Sequence, residues 1–73
     1  MIIEIIIDVL KDHPEGLTAI EIAQIINNYQ ILAPKSATKE MVDNAIQYYW
    51  RNGGESIYYS SPVTPHKYYA LQL

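Results

Sequence analysis

A chain of 73 residues with no cysteine and a net charge of -3 makes one small domain, stapled by neither disulfides nor thiolate metal ligands. Two histidines far apart, His13 and His66, give no metal-ligand spacing, and the acidity does not favour nucleic acid. No window holds the roughly 18 uninterrupted apolar residues of a membrane span, and the apolar start is broken by Glu4 and lacks a basic lead, so a cytoplasmic globular protein is the expectation.

Residues 2–12 predict an amphipathic helix. At 100° per residue, Ile2, Ile3, Ile5, Ile6, Ile7, Val9 and Leu10 fill one arc, and Glu4, Asp8, Lys11 and Asp12 fill the other. Pro14 and Gly16 then punctuate the chain, so His13 to Gly16 reads as a turn. The stretch from His13 to Leu17 can also supply a short extra strand. Thr18 and Glu21 have the Thr-x-x-Glu spacing of a capping box, in which each side chain takes the other residue's backbone N–H. A second helix is therefore expected from Thr18 to about Tyr29. Its core face is Ala19, Ile22, Ala23, Ile26 and Tyr29, and Ile20 falls on the polar side.

Pro34 removes a donor and biases Ala33 away from helix, making Gln30 to Ser36 a connection. A third helix is expected from Ser36 or Thr38 to about Asn52, stopped by Gly53-Gly54. Met41, Val42, Ala45, Ile46, Tyr48, Tyr49 and Trp50 form its apolar arc. Glu40, Asp43, Asn44, Gln47 and Arg51 form its polar face. Ser56 to Ser60 and Lys67 to Leu73 then read as the strands of a hairpin, with Pro62 and Pro65 kept out of the ladder. Tyr49, Tyr59 and Tyr69 are expected inside, and Tyr48, Tyr58 and Tyr68 outside.

The fold expected from these elements is α+β, a single domain over residues 1–73 with three helices followed by a two-stranded antiparallel β-hairpin. Leu17-Thr18-Ala19-x-Glu21-Ile22-Ala23, with the Gly53-Gly54 break ahead of the hairpin, resembles the winged helix-turn-helix superfamily over nearly the whole chain. The resemblance implies a small winged helix in which residues 38–52 form the recognition helix and 61–67 the wing tip. It also implies DNA binding and transcription regulation. The connection at Gln30 to Ser36 is longer than the 3–4-residue turn of a tight helix-turn-helix.

Charge is unevenly spread. Residues 1–34 carry Glu4, Asp8, Asp12, Glu15 and Glu21 against Lys11 alone, whereas 35–73 carry Lys35, Lys39, Arg51 and Lys67 against Glu40, Asp43 and Glu55. Asn44, Gln47 and Arg51 share a helix face, and such side chains pair with adenine or guanine edges in a major groove. The same face also suits plain solvation, with Glu40 and Asp43 opposing phosphate contact. Lys35, Lys39, His66 and Lys67 are candidates for the flanking phosphates. An alternative is a protein-interaction winged helix that does not bind DNA and uses Ile20, Tyr48, Tyr58 and Tyr68, because tyrosine joins apolar area to a polar tip. The expected partners are thus double-stranded DNA, acting through a homodimer, or a protein. No membrane, small-molecule substrate, cofactor, metal or catalytic residue is expected, since no nucleophile–base arrangement or glycine-rich phosphate loop is present.

Overall fold

The computed structural model describes residues 2–29, 36–59 and 66–71. In chain order they form α1 (Ile2–Lys11), α2 (Ala19–Asn28), α3 (Lys39–Arg51), β1 (Ile57–Tyr59) and β2 (Tyr68–Ala70). This is the expected α+β arrangement of three helices followed by an antiparallel hairpin. Among the described residues no helix is long and apolar enough to cross a membrane. Of the predicted connection from Gln30 to Ser36, residues 30–35, with Lys35 among them, lie outside the described residues, as do residues 61–65 of the predicted wing tip at 61–67.

Each helix contributes an i, i+4 pair of aliphatic side chains to the centre. These are Ile6 and Leu10, Ile22 and Ile26, and Val42 and Ile46, all fully buried. One turn of helix brings such pairs onto the same face. Burying each is worth roughly 1.5–3 kcal/mol. The capping box forms as its spacing requires. The Glu21 backbone N–H donates to Thr18 Oγ1 at 3.2 Å, and the Thr18 N–H donates to Glu21 Oε1 at 2.9 Å. Just past the C-terminal end of α3, Gly53 takes φ +83°, the left-handed conformation that closes a helix.

The hairpin pairs Ile57 with Ala70, Tyr58 with Tyr69 and Tyr59 with Tyr68. Leu17 adds a bridge on the far side of β2, so the extra strand at the end of His13–Leu17 is one residue long. This bridge overturns the expected faces of β2. Leu17 and Tyr68 exchange both backbone hydrogen bonds, at 3.0 and 2.7 Å, so their side chains share a face. Leu17 is core, and Tyr68 follows it inward together with Ala70. A one-residue difference in register flips every side chain of a strand. Tyr69 therefore lies outside, stacked on Tyr58 with ring centroids 5.2 Å apart. It is half-buried because its ring covers Gly16, whose φ of +85° and missing Cβ leave room for it. Tyr59 faces inward by pairing, yet it sits beyond the core and remains 46% exposed.

Two further details depart from periodicity. Tyr29, expected in the core, is 75% exposed. It is the C-cap of α2, with ψ near 2°, and so leaves the helical stripe. Asn27, near the end of α2, clamps the entry to α3. Its amide N–H donates to the Ala37 carbonyl at 2.9 Å, and its Oδ1 accepts the Ala37 N–H at 2.7 Å. Asn27→Ala leaves both Ala37 groups without this partner. The expected cost is about 1–2 kcal/mol, read as a lower urea midpoint; an unchanged midpoint contradicts the clamp.

Candidate functional site

Thr38 caps α3, accepting the Met41 N–H at 3.2 Å from an extended backbone. Lys39 is thereby the first helical residue. Asp43 and Gln47 follow at successive turns on the same stripe. Opposite them lies the start of α2, with Thr18, Ala19 and Ile20. His66 and Tyr68 of the hairpin complete a groove of about 400 Å³. Three separate elements therefore meet at one surface.

Asp43 is the hinge of this groove, with each carboxylate oxygen in separate use. Oδ2 accepts from Lys39 Nζ at 2.7 Å, and Oδ1 accepts the Tyr68 hydroxyl at 2.8 Å. The lysine side chain is 58% exposed and the aspartate 21%. The Asp43 carboxylate, as hydrogen-bond acceptor and as charge, holds the Lys39 ammonium above its ordinary range. Burial pushes the Tyr68 hydroxyl well above its ordinary value, and the bond to Asp43 and that residue's charge push it further. Each stabilises the protonated phenol. Tyr68 is thus a structural residue, and the expectation that it is exposed for a partner is corrected.

The other residues singled out in the sequence divide between surfaces. Lys39, Gln47, His66 and Ile20 share the polar groove. Asn44 and Tyr48 line a second groove on the opposite flank of α3. It is about 590 Å³, and Ile2, Ile3, Ala45 and Tyr49 supply its apolar walls. Arg51 is exposed at the end of α3, about 18 Å along the axis from Lys39, so these two cations do not converge. Lys67 is exposed beside the polar groove's His66, which itself meets Tyr59 edge-on at 5.2 Å. Lys67 also feels Glu15. That carboxyl is held below its ordinary value by its own backbone, then by His13 at 3.0 Å, with Lys67 contributing least. Tyr58 stands on the outer face of the hairpin, 51% exposed.

Sequence reasoning missed the part played by Thr18 and Ala19 as groove wall and by Asp43 as an internally satisfied acid. The Lys39–Asp43 spacing of four was a readable signal. The Asp43–Tyr68 contact, 25 residues apart, left none. Among the described residues no group of three histidines, cysteines or carboxylates gathers to hold a metal. No family model matches the chain, and no curated protein or solved structure is significantly similar to it.

The Tyr68 bond carries a pH signature. Its folded pKa lies above the unfolded value near 10.0, so the folded state binds this proton more tightly. The associated stability is complete below pH 10 and is lost as pH rises beyond it. Unfolding midpoints taken between about pH 9 and pH 12 should fall more steeply for the native chain than for Tyr68→Phe. Equal slopes contradict the assignment.

Proposed function

We propose that the chain is a small winged-helix protein that binds duplex DNA and regulates transcription, with α3 as the reading helix. The observation that carries this reading is the groove where Lys39, Gln47 and His66 converge from α3 and the hairpin. Asp43 is paired with Lys39 and accepts the Tyr68 hydroxyl there, which offsets part of its charge on this flank of α3. Gln47 is exposed for a base edge. Lys39 and Lys67 suit the phosphates on either side. Glu40 and the net charge of -3 keep a single copy weak, so two copies on two half-sites fit the chemistry better than one.

A second reading, a protein-interaction module that does not bind DNA, is favoured by the apolar groove between α1 and α3. Tyr48 stands there 62% exposed beside Ile2 and Ile3, a combination typical of protein contacts.

Fluorescence anisotropy of labelled random-sequence duplex titrated with the chain separates the two. DNA binding through two lysines predicts a log–log salt slope of about -2. Lys67→Glu should weaken binding to every sequence, and Gln47→Ala should alter discrimination between sequences. No binding at low salt removes the DNA reading, and Tyr48→Ala in partner capture then becomes the deciding variant.

A further inference from the structure

We infer that Asp43 is an electrostatic brake on nucleic-acid binding, holding Lys39 in a stowed position from which a phosphate must win it. The inference rests on the DNA reading and adds a regulatory element to the same groove. Asp43 has two oxygens with separable tasks. Oδ1 secures the hairpin through the Tyr68 hydroxyl, and Oδ2 holds Lys39. Only the first is needed for the fold. A neutral acceptor in place of Oδ1 still satisfies Tyr68, because a phenol donates to an amide oxygen as well as to a carboxylate, though the bond is weaker.

The charge is what the fold does not need. An anion facing a polyanion costs affinity, and a lysine already paired has to break one contact to make another. Lys39 is suited to exchange. It is the more exposed partner, it stands in the first turn of α3, and a lysine preceding an acid by four is the weaker orientation of such a pair. His66 and Gln47 line the same groove, so a phosphate drawn to Lys39 arrives beside the base-reading side chain. The brake lowers general affinity for any duplex and leaves sequence contacts to decide where the protein stays.

Asp43→Asn tests this, because it keeps the Tyr68 acceptor and removes the charge. Binding to random-sequence duplex at low salt is measured for the native chain, Asp43→Asn, Lys39→Met and the double variant, with near-ultraviolet circular dichroism verifying the fold of each. Asp43→Asn should tighten binding about five- to tenfold at low salt. In the Lys39→Met background that gain should shrink to the part due to direct repulsion, so Lys39→Met costs the native chain less than it costs Asp43→Asn. Tyr68→Phe, which leaves the Lys39 pair intact, should not tighten binding, so a gain there means that loosening of the fold is responsible and overturns the brake. A folded Asp43→Asn that binds no tighter than the native chain also overturns it, as does a gain that is undiminished in the Lys39→Met background. Absence of binding in all four proteins overturns both the brake and the DNA reading. Native binding without a gain in Asp43→Asn overturns the brake alone.

Discussion

Tyr68 joins three parts of the molecule through one residue. Its backbone N–H and C=O both pair with Leu17, between α1 and α2. Its ring lies 6.1 Å from that of Trp50 on α3, and its hydroxyl donates to Asp43, two turns earlier on the same helix. Strand β1 pairs along the other side of the same residue. Trp50 then covers β1, donating its indole N–H to the Ile57 carbonyl at 2.8 Å. That carbonyl points away from β2, because Ile57 sits at a non-hydrogen-bonded pair of the ladder. The hairpin edge is thereby partly closed by a side chain, in a domain too small to cover it with another element.

Local chemistry in this chain announced itself, whereas long-range partners did not. The Thr18–Glu21 box, the stop at Gly53 and the exposed Ile20 each depend on neighbours within a few residues, and each is where its pattern predicts. The faces of β2 depend on Leu17, some 50 residues earlier. Tyr69 and Leu71 carried at least as strong an apolar alternation as Tyr68 and Ala70, so period alone had no means of choosing. Asn27 is the same lesson at shorter range, since an amide that pairs with a backbone N–H and C=O looks in sequence like any polar helix residue.

The candidate site was legible in outline but not in how its charges pair. Lys39, Gln47 and His66 were each visible as candidates, and the fold brings them to one groove. Asn44 and Arg51 share their helix face in projection, yet Asn44 contributes to the opposite groove and Arg51 to the far end of α3. Asp43 counted against DNA when its charge was summed with its neighbours. Its actual partners, Lys39 and Tyr68, make it a property of the fold as much as of the surface. Helix α3 consequently runs as a ridge between a polar flank and an apolar one, and the two functional readings correspond to those two flanks.

The flank that is used can be read directly from amide chemical shifts. The isotopically labelled chain would be titrated at low salt with a short random-sequence duplex. DNA recognition through the polar groove predicts shifts gathered at Lys39, Gln47, His66 and Lys67, with Ile2, Ile3 and Tyr48 unmoved. Shifts confined to the Ile2, Ile3 and Tyr48 flank, or none at all, would contradict it.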